Sequence, residues 1–114
     1  MQFGRFKPDE EETEHIAGFH FGAVDVVHYW FHFANGYTAS VIQGGGYTYG
    51  GEQGLWELAV LRDGDIDYDN PVTAEKGGIL GYLDDSEVAE KLEAIEALPT
   101  WHKRKRKKRR RPPS

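Results

Sequence analysis

The stretch Val26 to Gln43, VVHYWFHFANGYTASVIQ, decides the fold, because it joins the densest aromatic run of the chain to its clearest turn signal. Asn-Gly between two β-prone runs marks a hairpin, since both residue types accept positive φ at little steric cost. Two registers are open. With Asn35-Gly36 as a two-residue loop, Phe33 faces Thr38 and Phe31 faces Ser40, which mixes apolar and polar residues on both faces. With Ala34-Asn35-Gly36 as a three-residue loop and Gly36 as the bulge glycine, Phe33 opposes Tyr37, Phe31 opposes Ala39 and Tyr29 opposes Val41. The second register sorts the faces and is the one expected. It puts Val27, Tyr29, Phe31, Phe33, Tyr37, Ala39 and Val41 on one side, and His28, Trp30, His32, Thr38, Ser40 and Ile42 on the other.

Upstream, Ile16 to Phe21 (IAGFHF) reads as a first strand with Ala17, Phe19 and Phe21 on one face, broken by Gly22. Residues 7–14 contain the run PDEEETE, whose like charges disfavour compact structure, so an acidic loop or linker is expected there. Phe3 and Phe6 flank a small basic start.

Downstream, residues 44–54 (GGGYTYGGEQG) carry six glycines in eleven positions, which is loop chemistry. No Gly-Lys-Ser/Thr follows, so this is not a phosphate-binding loop. Such a segment would hold Tyr47 and Tyr49 on a mobile surface, where tyrosines offer large contact area at low rotamer cost. Leu55 to Leu61 (LWELAVL) reads as a central strand, with Trp56, Leu58 and Val60 alternating against Leu55, Glu57, Ala59 and Leu61. Asp63-Gly64 marks a second hairpin returning through Ile66 and Tyr68, and Asn70-Pro71 ends it. Val72 to Leu83 is expected to be a loop with a short strand or turn, placing Ile79, Leu80 and Leu83 in the core. A helix is expected over Ser86–Leu98, with Asp84 or Asp85 as N-cap, Glu87 in its first turn and Val88, Leu92, Ile95 and Leu98 on one face. Pro99 stops it, and Trp101 is placed to fold back onto the core.

The expected fold class is therefore α+β: an antiparallel sheet of four to five strands with one C-terminal helix packed on one face, the face of Phe31, Phe33 and Val41. At 114 residues the chain supports one core. Residues 1–102 are read as a single acidic domain and residues 103–114 as a disordered basic tail. The chain has no cysteine, which excludes disulfides and thiol chemistry, and no apolar run of membrane-spanning length. Its start lacks the apolar centre of a signal peptide, and a cytoplasmic location is expected.

The net charge of −5 conceals two opposed parts. Nine of the fourteen basic residues are consecutive: Lys103, Arg104, Lys105, Arg106, Lys107, Lys108, Arg109, Arg110 and Arg111. The rest of the chain sets five basic residues against nineteen acidic ones, a formal balance of −14. Nine adjacent cations repel one another and release counterions from any phosphate backbone they meet, so the tail is the candidate nucleic-acid contact, with Trp101 and His102 as stacking neighbours. It could equally solubilise the chain or fold against the acidic body.

The acidic body points to a protein partner, with Trp30, Tyr47, Tyr49, Asp65 and Asp67 as candidate contacts. Regular alternation after Asp63 would align Asp63, Asp65, Asp67 and Asp69 on one face, as a mimic of a phosphate backbone or as charges that keep a sheet edge from pairing. A calcium loop fails on detail, because its sixth position is Tyr68 and its twelfth is Ala74. His28 and His32 share a face with Trp30 between them, a poor geometry for one metal, and His20 stands apart. Ser40 and Ser86 lack any triad context. The pattern supports no enzyme, no cofactor and no metal site.

The ordered blocks FANGYTASVI (33–42), YGG (49–51), GLWELAVL (54–61), NPVT (70–73) and GYLDDSEV (81–88) resemble a group of small bacteriophage and prophage proteins over roughly residues 31–98. The group carries no settled activity. The resemblance implies a setting, that of a phage accessory protein that binds a host or phage protein or associates with nucleic acid, and it assigns no catalytic residue.

Overall fold

The structure, a computed structural model, describes residues 1–17 and 22–101. In chain order these form β1 (Glu10–Ala17), β2 (Ala23–His32), β3 (Tyr37–Gln43), β4 (Trp56–Arg62), β5 (Asp65–Ile66), β6 (Ile79–Leu83) and α1 (Asp85–Glu96). The sheet is antiparallel throughout in the order β1-β2-β3-β4-β5, and β6 also pairs with β4. Because β3 covers one edge of β4 along Glu57–Arg62, β5 and β6 share the other edge, opposite its two ends. Thus β4 is central, as its nearly continuous apolar sequence requires. The fold is the expected α+β arrangement, with one strand more than the sequence suggested.

The hairpin register is the one that sorts the faces: Phe31 opposes Ala39, Tyr29 opposes Val41 and His28 opposes Ile42. Gly36, at φ 93°, supplies the left-handed step that a three-residue loop needs, and Phe33 N–H bonds the Tyr37 carbonyl at 2.9 Å to close it. Tyr29, Phe31, Ala39 and Val41 are consequently buried, together with Trp56, Leu58 and Val60 of β4.

Helix α1 covers that apolar face, contacting β3, β4 and β6. Asp84 caps it: its carboxylate accepts from Glu87 N–H at 2.8 Å while the Glu87 side chain accepts from Asp84 N–H at 2.9 Å, a complete capping box. Val88, Leu92 and Ile95 are fully buried, each contributing about 1.5–3 kcal/mol of gross apolar stabilisation. The Trp56 indole N–H donates to Asp85 at 2.9 Å and fastens the helix start to β4. Trp101 turns back, but onto the hairpin loop: its N–H bonds the Asn35 carbonyl at 2.7 Å, and the Arg62 guanidinium lies over its ring.

Three expectations are corrected. The acidic run is not a loop: Glu10 to Ala17 pair residue by residue with β2, from Glu10 opposite Trp30 to Ala17 opposite Ala23. An edge strand satisfies its backbone on one side while leaving its carboxylates in water, where mutual repulsion is screened, so four glutamates cost it little. The first strand accordingly lies earlier than Ile16–Phe21, and Phe19, His20 and Phe21 fall outside the described residues.

The second hairpin turns at Asp63 (φ 53°) and Gly64 (φ 87°) as expected, but β5 stops at Ile66. Asp67 then turns inward, buried at 6 % exposure, accepting from Asp69 N–H at 2.9 Å and lying 3.4 Å from Arg62 Nε. The four aspartates therefore do not share one regular strand face.

The start of the chain is part of the core. Phe3 and Phe6 bond each other's backbone at 2.9 and 2.8 Å around Gly4 (φ 59°), and Phe3 sits edge-on to Tyr29, Phe31 and Trp56 at 5.1–6.1 Å. Arg5 reaches Glu93 at 2.9 Å and also bonds Glu96, tying this segment to α1.

Candidate binding face

With α1, Phe3 and Phe6 on one side of the sheet, side chains of opposite parity point the other way; among the described residues no α-helix packs on them, and the glycine-rich turn covers only Val24 and Val26 at the start of β2. The pairing registers align them in three rows across the strands. Glu12, His28, Ile42 and Glu57 form the first. Glu10, Trp30, Ser40, Ala59 and Ile79 form the second. His32, Thr38, Leu61 and Ile66 form the third.

The centre of this face is aromatic and aliphatic, and its margins are acidic. The imidazole of His28 stacks on the Trp30 indole with ring centres 3.7 Å apart, and its Nε2 lies 2.7 Å from Ser40 Oγ. Burial against these neighbours lowers the His28 pKa from its ordinary value, with the Glu12 charge opposing that shift. Neutral His28 is thus favoured at neutral pH, as a flat partner for Trp30. His32 is held differently, by Glu10 across β1 and β2 and by Thr38 Oγ1 at 2.9 Å, while Asp9 accepts from its backbone N–H at 2.7 Å. The imidazoles therefore have separate partners, and among the described residues no group of three or more metal-ligating side chains converges.

The three rows contain Glu10, Glu12 and Glu57 and no lysine or arginine. The five cations of the body lie elsewhere: Arg5 against α1, Arg62 beside Asp67 and Trp101, and Lys7, Lys76 and Lys91 outside the three rows. Such a surface repels phosphate and suits a positively charged protein surface with an apolar centre.

The candidate contacts read from sequence scatter over this geometry. Trp30 lies half-buried near the β1 edge. Tyr49 is 60 % exposed beyond the opposite side, its N–H bonded to Glu57 at 2.9 Å and its carbonyl to Tyr82 N–H at 3.2 Å. Trp30 and Glu57 stand two strand spacings and one row apart, about 12 Å. Tyr47 is exposed at 42 % on a 3-10 turn, Gly45–Tyr47. The glycine-rich loop is not loose: Thr48 Oγ1 accepts from Gly44 N–H at 2.9 Å, and the Gly50 carbonyl accepts from Leu55 N–H at 2.9 Å. Asp65 is exposed on β5, whereas Asp67 is withdrawn from the surface beside Arg62.

Sequence reading missed Glu10 and Glu12, which became visible as face residues only once the acidic run proved to be a strand. Ile79, expected in the core with Leu80 and Leu83, instead lies half-buried on this face opposite Ala59, and Leu61 and Ile66 join it here although no binding role was expected of them. Lys103 to Arg111 lie outside the described residues, as does His102. No described helix is long and apolar enough to cross a membrane. Comparison with known proteins found no matching family model, no matching curated protein and no matching solved structure.

Proposed function

We propose that this chain is a non-enzymatic binding protein whose folded body docks a positively charged surface of a protein partner and whose basic tail contacts nucleic acid. The observation that carries the reading is the sheet face opposite α1, where half-buried Trp30, Ile42 and Ile79 around buried Ala59 form an apolar centre beside Glu10, Glu12 and Glu57. Trp is enriched among the residues that dominate binding energy, and a desolvated aromatic centre with charges at the rim is the usual anatomy of a specific interface. The setting implied by the ordered blocks, a phage accessory protein acting in the cytoplasm of its host, belongs to the same proposal.

The division of labour follows from charge. An anionic face is a poor nucleic-acid platform, so nucleic-acid contact falls to Lys103–Arg111, without sequence preference and with steep salt dependence. A reading in which the body merely carries the tail differs in one measurable respect.

The test is affinity capture from host lysate with the full chain, a chain lacking residues 103–114, and a Trp30→Ala chain, each with and without nuclease. Capture of one defined protein that survives tail removal and nuclease but is lost in Trp30→Ala is the expected result. Loss of all association on tail removal would overturn the protein-docking half of the reading.

A further inference from the structure

We infer that the open edge of β1 is the resting place of the chain's own Lys103–Arg111 segment, which leaves it for nucleic acid. The inference rests on the function proposed above and adds its regulation. Three observations support it.

The first is an unpartnered edge. β1 pairs with β2 along its whole length, and among the described residues nothing pairs with its other side. Seven of its eight residues are exposed. An edge of this kind presents a row of backbone donors and acceptors to any extended segment that comes alongside.

The second is charge. Glu10, Glu11, Glu12 and Glu14 stand on this strand, and among the described residues Glu11, Glu12 and Glu14 form no ion pair. The cations of the body that do form ion pairs, Arg5 and Arg62, serve α1 and Asp67 instead. Lys7, Lys76 and Lys91 are single charges, and the largest complement to these carboxylates within the chain is the nine-residue cationic run.

The third is reach. Trp101 is bonded to Asn35 in the β2–β3 loop, so the chain departs from the end of the sheet where β1 begins, with Glu10 opposite Trp30. Crossing from that loop to β1 takes one or two strand spacings, about 5–10 Å, which His102 to Arg104 can span. The residues that follow extend at about 3.3 Å each, enough to run the length of an eight-residue strand in the direction of β1.

A segment docked this way is held by exposed ion pairs, each weak and screened by salt, so a polyanion of higher charge density displaces it. The body then tunes nucleic-acid affinity from outside the contact.

The experiment uses the full chain and a mixed-sequence single-stranded DNA of about 20 nucleotides, sized to exceed the tail's footprint. Zero-length carbodiimide coupling joins amines to touching carboxylates, and mixed isotope labelling separates links within one copy from links between copies. Links from Lys103, Lys105, Lys107 or Lys108 to Glu10–Glu14 within one copy are expected, lost in high salt and on addition of the DNA. In parallel, Glu11, Glu12 and Glu14 are changed together to Gln, with Glu52, Glu75 and Glu90 changed to Gln as an equal-charge control. The β1 variant is expected to bind the DNA about three- to tenfold tighter at low salt, as removal of three exposed ion pairs implies, and the control to change less than twofold.

Links spread over α1 carboxylates, links only between copies, or equal tightening in both variants would each overturn the inference. Failure of the wild-type chain to bind DNA while the β1 links form would instead remove the nucleic-acid half of the proposed function and leave the docking in place.

Discussion

The side-chain amide of Asn35 donates to the carbonyl of Ile95 at 2.8 Å, joining the β2–β3 turn to the end of α1 across sixty positions of the chain. The same amide reaches the Leu98 carbonyl at 3.0 Å, and its oxygen accepts from Tyr37 N–H at 3.1 Å. Helices end with carbonyls that have no partner of their own, and here a turn residue supplies it.

Asn35→Gly keeps a residue suited to the turn and removes the cap. It is expected to lose about 1–3 kcal/mol, because it removes the side-chain donor shared by the Ile95 and Leu98 carbonyls and leaves Ile95 its backbone bond from Leu98 N–H. Urea unfolding with an unchanged slope and a lower midpoint is the check. Asn35→Asp should cost at least as much, since it puts a carboxylate at the negative end of the helix dipole.

Phe3→Ala is expected to cost about 3–5 kcal/mol, the range for emptying a buried aromatic site, because Phe3 is wholly enclosed by Tyr29, Phe31 and Trp56. Arg5→Ala, at an exposed ion pair, should move the denaturation midpoint only slightly. A near-neutral Phe3→Ala would show that the start of the chain does not occupy the core.

Gly81→Ala would place a Cβ 2.5 Å from Tyr49 Cβ. It should destabilise by about 1–3 kcal/mol through overpacking, and Tyr49→Gly, which removes the opposing Cβ, should recover much of that loss in the double variant. A four-member thermodynamic cycle measures the coupling directly. Additive effects would mean that Tyr49 is not seated against β6.

His28 gives stability a defined slope with pH. Burial lowers its proton affinity in the folded chain, so between the ordinary histidine value, about 6.5, and its lowered value the unfolded chain binds more protons. Stability from this group is therefore highest above that window and falls as pH drops through it. His28→Gln, which still offers a partner to Ser40, should flatten this part of the profile in melts taken between pH 5 and 7.5, and an unchanged slope would assign it elsewhere.

Sheet and helix were legible because each rested on two agreeing signals. The hairpin had Asn-Gly and a register that sorted apolar from polar residues, and α1 had Asp84, Glu87 and the spacing of Val88, Leu92 and Ile95. β1 was hidden because repulsion among Glu10, Glu11, Glu12 and Glu14 looks unfavourable in isolation, and only pairing with β2 reveals a strand that keeps them in water. Phe3 and Phe6 were hidden because two aromatics around a glycine have no periodicity, and their destination is set by rings far along the chain. Asp67 was misplaced because alternation was extended past Ile66, where bonds to Asp69 and Asn70 bend the backbone. Of the candidate site, Trp30 and its companions His28, Ser40 and Ile42 could be read in advance, but the acidic row beside them could not.

The burial of Phe3 also bears on how the protein is made. Phe3 is translated well before its socket, which includes Trp56, and the helix beside Gly4 and Arg5 is completed only at Glu96. A growing polypeptide must therefore leave these rings wet until α1 has emerged from the ribosome. Closure is late and collective, and a bulky fusion placed directly before Phe3 would obstruct it, whereas one beyond Trp101 would not.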